Sequence, residues 1–600
     1  MALPIERAED LIRQLRSNRT TLFVLALIAL LLLTYWSWAP LISRGYPLGH
    51  DGPLTPIRVY TIDRCLHDGQ LPCRWSADLA YKYGFPIFNY YPPGASYVSE
   101  SVHLLGFSIT DSIKIVFILG FILSALFMFL LTREFWGNLG GMVAALFYVY
   151  APYHALDAYV RGAQAEYWAL TFFPAVLWSS YMVVREGKLG YVLALAFFIA
   201  MLLLSHNLMT AIFVPLAVAW GLLWALRSGR LERGLLLALS TGWGLALAAF
   251  FTLPALFEIE LTHAAILKTG YNGSSWYYRD HFVEWHQLFF TRFWGFGRSV
   301  LGPADGMSFQ IGYLHWAITL ASLVVAPVAW RKNRAAFWVI ILMLGFFGLS
   351  VFMTHEKSAF IWQTLSSLEW LQFPWRFLAL TILTSSFLAG ALFLVVRDKT
   401  VLSLMLFAAL VGGVIGANQE FFRTSAQKQY ISDKERFSGR LFDAQLTSPA
   451  VVIDYLPATA SEPTAFPLAE VEVVGGSAAL ANIEQQSSTM SLVAETSSGV
   501  TLRASIFDFP NWKVRVDGKT VPHNHDNELG LITFDVPPGK HKIYLSLEDT
   551  AIRTFSNNLS LVAWLLFVAA AATLLAVAAR GLLHRVRAGT AAPDFSGKNA

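Results

Sequence analysis

Residues 20–52 read TTLFVLALIALLLLTYWSWAPLISRGYPLGHDG. The first twenty carry no charge, and a helix of that length covers the roughly 30 Å hydrocarbon core of a bilayer. Directly after it, His50 and Asp51 stand between Gly49 and Gly52. An ionisable pair is thereby placed at a membrane edge. Working outward, eleven further apolar runs lie near 109–132, 137–151, 166–184, 189–205, 208–226, 234–256, 311–330, 335–353, 376–396, 401–418 and 557–580. The expected fold is mainly α: a polytopic membrane protein with about twelve transmembrane helices.

The composition agrees. Of 600 residues, 55% are hydrophobic and 14% charged, against about 25% charged in soluble domains. Twenty tryptophans suit the aromatic belts at bilayer edges. The net charge of +4 forms no basic face, which argues against a nucleic-acid partner. The first run lacks a small-residue cleavage site and reads as an anchor.

Lysine and arginine in short loops set orientation. Arg7, Arg13, Arg16 and Arg19 precede the first run, and Arg133, Arg185, Arg227, Arg331, Arg397 and Arg580 follow every second run. Both termini are therefore expected in the cytoplasm. The expected organisation is a cytoplasmic 1–19, a membrane domain over 20–418 with a long first outward loop at 40–108, an extracytoplasmic domain at 419–556, a last span at 557–580 and a cytoplasmic tail at 581–600. In the 419–556 insertion, WKVRVDGKTV (512–521) alternates on both sides of Asp517-Gly518, a hairpin signal, and HKIYLSL (541–547) alternates again. A small β-sandwich-like domain is expected there. The two cysteines, Cys65 and Cys73, share the first outward loop, where the compartment favours a disulfide.

Candidate site residues cluster in the outward segments. A carboxylate at headgroup level is partly desolvated, which makes Asp51 a candidate base beside His50; the alternative is a cap on the next helix. The Leu54–Leu66 stretch has helical spacing and is expected to lie along the interface. Asp157, Arg161 and Glu166 are charges at a span edge, functional or mutually paired. Ser205-His206-Asn207 interrupts an apolar stretch, as a tight turn or as cavity-facing donors. Arg376 opens a span, where it can snorkel or clamp a phosphate through its guanidinium fork.

The GHD after the first span, the RCLHDGQLPCRW…YGFPIFNYYPP stretch (64–93), DAYVRGAQAE (157–166), LLLSHNLM (202–209) and FPWRFL (373–378) resemble bacterial membrane proteins labelled 6-pyruvoyl-tetrahydropterin synthase-related. Those look like members of the GT-C glycosyltransferase superfamily. The resemblance covers roughly 20–420. It implies a bacterial inner-membrane enzyme that moves a sugar from a polyprenyl-phosphate donor to a glycan, lipid or protein acceptor on the outer face. Asp51 maps onto the base, with His50 beside it where many relatives carry paired acids. Arg376 and Arg161 become candidates for the donor phosphate, with Asp157, Glu166, His206 and Asn207 supporting. Cofactor use is unknown from the sequence, and a divalent cation is left open. Two rival functions are a transporter or flippase of a lipid-linked glycan and a non-catalytic glycan-binding assembly protein.

Overall fold

A computed structural model describes residues 19–271, 274–304, 306–396 and 398–590. Arg7, Arg13, Arg16 and Arg397, and the tail end at 591–600, lie outside the described residues.

The apolar runs fold as α1 (Arg19–Trp38), α4 (Ile109–Val149), α5 (Gln164–Glu186), α6 (Leu189–Ser205), α7 (Asn207–Ser228), α8 (Leu231–Leu247), α9 (Ala249–Phe257), α10 (Tyr313–Lys332), α11 (Arg334–Thr354), α12 (Leu378–Ala389), α13 (Thr400–Asn418) and α14 (Ala551–Thr590). The first loop contributes α2 (Leu54–His67) and α3 (Gly94–His103). Among the described residues nine helices are long and apolar enough to cross a membrane, or ten if one bent pair counts as a span.

The difference from twelve has three sources. The runs at 109–132 and 137–151 are the two arms of α4, broken at Gly137 with φ 73° and ψ −179°. A Cβ on Gly141 would lie 3.0 Å from Arg133 Cβ and 3.1 Å from the Phe129 ring, so the second arm folds back on the first. Only glycine takes that left-handed φ without strain. The run at 189–205 makes a helix of 17 residues, short for a span. The run at 234–256 is bent by 76° where α8 meets α9.

Burial orders the bundle. The apolar stretch of α5 is 89% buried and that of 374–396 is 78% buried, so these two form its centre. In the corresponding stretches of α13 and α14 only 17% and 6% of the residues are buried, so both helices lie at the periphery.

The insertion is a sandwich of antiparallel strands: β1 (Val471–Gly476), β2 (Ala479–Gln485), β3 (Thr489–Thr496), β4 (Val500–Phe507), β5 (Trp512–Val516), β6 (Lys519–Val521), β7 (Leu531–Val536) and β8 (Gly539–Leu547). One sheet runs β6-β5-β8-β3-β2 and the other β7-β4-β1. The Asp517-Gly518 turn joins β5 to β6, and both its residues take positive φ, as a two-residue hairpin of this hand requires. The alternating residues Val514, Val516, Ile543 and Leu545 fill the interior.

The sandwich and the first loop share one core. Trp75 packs against Phe509 and Trp512, and Tyr83 against Phe507. This corrects the expectation for α2. Its apolar face is covered by protein and not by lipid, with Ile57 and Ile62 in the core it shares with the sandwich and Val59 in the bundle core. An amphipathic helix looks the same in sequence whether lipid or a second domain covers its apolar face. Cys65 and Cys73 are bonded to each other within this loop.

Candidate active site

The loop after α1 is laid along a single π-helical turn, Leu156–Arg161, between α4 and α5. His50 donates its amide to the Val160 carbonyl at 3.1 Å, and Asp51 donates to the Arg161 carbonyl at 2.8 Å. The approach needs glycine at 49: a Cβ there would meet the Val160 oxygen at 2.7 Å and the Arg161 carbonyl carbon at 2.9 Å.

Asp51 terminates the loop with its main chain. Its carbonyl accepts from the amides of Leu54 (3.0 Å) and Thr55 (3.1 Å) as α2 begins. No side chain caps α2. The carboxylate makes no hydrogen bond or ion pair among the described residues, and it is partly exposed. Its charge acts on Arg161 and on the buried phenol of Tyr91. His50 is exposed along one edge, with Nε2 3.3 Å from the Phe296 carbonyl. Crowding by the surrounding loops, with the Arg161 guanidinium nearby, holds it below the ordinary imidazole value.

Behind the loop lies a buried charge cluster. Arg161 Nη1 binds Asp157 Oδ1 and lies 2.8 Å from Glu166 Oε1. Glu166 Oε1 also accepts from the Tyr153 hydroxyl at 2.6 Å, and Oε2 accepts from Arg376 Nε at 3.2 Å. Arg376 Nη1 donates to the Leu371 carbonyl (2.7 Å) and to Gln372 Oε1 (2.9 Å). Glu166 therefore bridges two arginines that come from separate parts of the chain. The Arg161 guanidinium stacks 4.7 Å from the Trp375 ring centroid, a cation–π contact in a desolvated place. Of the sequence alternatives, Asp157 and Arg161 are paired as their spacing allows. Arg376 is buried and paired, so it does not snorkel.

His206 and Asn207 join α6 to α7, so the turn reading holds. His206 Nδ1 accepts from the Met209 amide at 3.2 Å, and the Asn207 amide donates to the Tyr90 carbonyl at 3.3 Å. The charges of Glu166, Arg376, Arg161 and Arg58 all reach His206, which places it at the margin of the cluster.

Arg58 is a member that sequence reasoning missed, and its partner Tyr91 belongs to the aromatic Phe88–Pro93 run that the sequence suggests as the lining of a groove. Arg58 Nη1 donates to the Tyr91 hydroxyl at 2.8 Å, and its guanidinium carbon sits 3.8 Å from that ring's centroid. Burial pushes the phenol up to about 12, so Tyr91 stays a neutral partner. The signal was present: Leu54, Arg58 and Ile62 form an i, i+4, i+8 stripe, and an arginine on an apolar stripe needs a partner. The site thus gathers three acids, Asp51, Asp157 and Glu166, and three arginines, Arg58, Arg161 and Arg376. Gly49 also lines a narrow pocket with Tyr46, Lys114, Phe117 and Tyr159. Among the described residues one set of side chains gathers metal-ligating atoms, Asp63, Glu100 and His103, and it does not include Asp51.

No family model matches the chain. It is 22% identical over 242 residues to an uncharacterized protein of Lactococcus lactis subsp. cremoris (strain MG1363), spanning 39% of each. Similar solved structures include the oligosaccharyltransferase of Archaeoglobus fulgidus in its apo form, at 15% identity and a TM-score of 0.43, covering 72% of this chain and 56% of that one. ArnT from Cupriavidus metallidurans bound to undecaprenyl phosphate matches at 16% identity and a TM-score of 0.35, covering 64% and 61%. The arabinofuranosyltransferase AftD from Mycobacteria matches at 15% identity and a TM-score of 0.37, covering 68% and 27%. The chain thus spans less than two thirds of the length of each of these relatives.

Proposed function

We propose that this chain is a membrane glycosyltransferase that moves a sugar from a polyprenyl-phosphate donor to an acceptor hydroxyl on the extracytoplasmic face. The observation that carries the reading is the Asp51 carboxylate, unpartnered at a membrane edge and tied through its own amide to a buried arginine cluster. The arginines before the first apolar run, Arg7, Arg13, Arg16 and Arg19, support an N-terminus in the cytoplasm of a bacterial inner membrane, and one crossing by α1 then puts Asp51 outside. Nucleotide sugars are not expected there, so a lipid-linked donor fits.

The chemistry balances without an added acid. The acceptor oxygen attacks the anomeric carbon, Asp51 takes its proton, and the bond from that carbon to the phosphate oxygen breaks. Polyprenyl phosphate departs with the electron pair. Phosphate leaves readily, so the second carboxylic acid a glycosidase needs is dispensable. Single displacement inverts the anomeric centre. Arg376 and Arg161 hold the phosphate charge, with Arg58 beside them, and a preorganised cation in a dry site stabilises charge that develops in the transition state. Glu166 and Asp157 position the guanidinium groups. The test is transfer from a polyprenyl-phosphate sugar by the purified protein in liposomes, read as released polyprenyl phosphate. Release by the wild type that is lost in Asp51→Asn is expected; equal release by the variant ends the assignment of the base.

A further inference from the structure

Helices α2 and α3 pack side by side in the first loop. Between them stand Asp63 on α2 and Glu100 and His103 on α3, one potential ligand atom from each lying within 4.8 Å of the others. Glu100 and His103 are three apart, so they share one face of α3, the Glu-x-x-His spacing that helical metal sites use. An acidic cluster alone signals nothing, but here Glu100 adds a second observation. It is 1% exposed, and both of its carboxylate oxygens are sealed from solvent without a hydrogen-bond partner.

A buried, unpartnered carboxylate is costly unless something neutralises it. The nearby basic groups are otherwise occupied. Arg64 pairs with Asp78 and Asp68, and His67 leans on Asp63 from the exposed side at 3.1 Å. A shared proton would quiet the two acids and leave the imidazole without a task. His103 is set up as a ligand. Its Nδ1 faces the Phe107 carbonyl at 2.6 Å and must carry the proton, which leaves the lone pair on Nε2. A carbonyl partner on the other ring nitrogen is the usual way a metal-binding histidine is oriented.

We propose that Asp63, Glu100 and His103 bind one divalent cation of the zinc class, with water completing the shell. Two carboxylates and a neutral imidazole suit zinc or manganese better than calcium or magnesium, which prefer oxygen alone. The ion ties α2 to α3 behind the candidate active site. Arg58 lies on α2, and Ser99 on α3 accepts from the Gln164 amide at 2.9 Å, two residues before Glu166. Its role is to hold the loop, and it does not depend on the glycosyl-transfer reading.

The test uses the full chain in detergent, with any polyhistidine tag removed, stripped with chelator and then titrated with zinc chloride. We expect about one zinc per chain and a rise in the thermal midpoint on loading. Glu100→Gln keeps the shape of the buried side chain and should weaken zinc binding at least tenfold. His103→Ala changes a half-buried position and should do the same, so it decides the matter where Glu100→Gln does not fold. No stoichiometric zinc or manganese on the wild type overturns the site, and so does unchanged binding in a folded His103→Ala variant.

Discussion

The amide of Asp51 donates to the carbonyl of Arg161 at 2.8 Å. The candidate base and a candidate phosphate ligand are held together through main chain, which leaves the Asp51 carboxylate free to meet a substrate while Asp157 and Glu166 fix the Arg161 guanidinium behind it. A substitution at Asp51 therefore need not disturb the bond that sets the loop.

Asp51→Asn should lower transfer by about 10²–10⁴-fold, the range for removing a general base. The fold should be unaffected, because α2 is capped by the Asp51 carbonyl and by no side chain. Rates and melting curves on the same preparation check this. A large loss of stability with proportionate loss of rate would point to a structural role.

Arg376→Ala should weaken donor binding about tenfold or more. Charge-assisted hydrogen bonds contribute about 1.5–3 kcal/mol, and about 1.4 kcal/mol is one decade. Glu166 keeps Arg161 as a counter-charge in this variant, so the cluster should survive. Lysine restores the charge without the planar fork and should rescue in part. Donor titration of both variants decides; unchanged affinity in Arg376→Ala moves the phosphate to Arg161 and Arg58.

Gly49→Ala should separate the loop from the cluster. The new Cβ would press on the Val160 oxygen at 2.7 Å, which is main chain and cannot swing away. Overpacking of this kind costs about 1–3 kcal/mol. We expect a lower thermal midpoint together with loss of transfer, whereas Gly412→Ala in α13, with nothing near its added Cβ and an ordinary helical φ, should leave transfer unchanged.

Tyr91→Phe removes the hydroxyl that accepts from Arg58 and leaves the ring under the guanidinium. A buried donor left without a partner costs about 1–3 kcal/mol. Chemical denaturation should show that loss. If Arg58 faces the donor, its freed guanidinium changes donor affinity as well, and an unchanged affinity would confine Arg58 to structure.

Cys65 and Cys73 should label with a thiol reagent only after reduction, since they are bonded across a separation of eight residues. Replacing both with serine should cost about 2–3 kcal/mol in the chain-entropy account of so short a loop. Two thiols that react in the unreduced protein would contradict the bond.

What this sequence determined by itself is local. Uncharged runs of about twenty residues dictate helices in lipid because every backbone polar group must be satisfied within the segment. Alternation on both sides of Asp517-Gly518 dictates a hairpin because the turn accepts only residues at ease with positive φ. Asp51, Asp157, Arg161, Glu166 and Arg376 could be singled out because charge beside apolar sequence is rare. Tertiary structure alone decided how these residues meet. Glu166 binds Arg376 across 210 positions, a pairing no spacing rule reaches. The cover over α2 is a sandwich encoded four hundred residues later, and period and moment are the same whichever partner buries the face. The sequence separates the apolar runs on either side of Gly137, but only the tertiary structure folds the second back on the first. The physical reason is common to all three. Periodicity records which face of an element is buried, and the identity of what buries it is a property of packing, settled only when buried charges find their counter-charges in space.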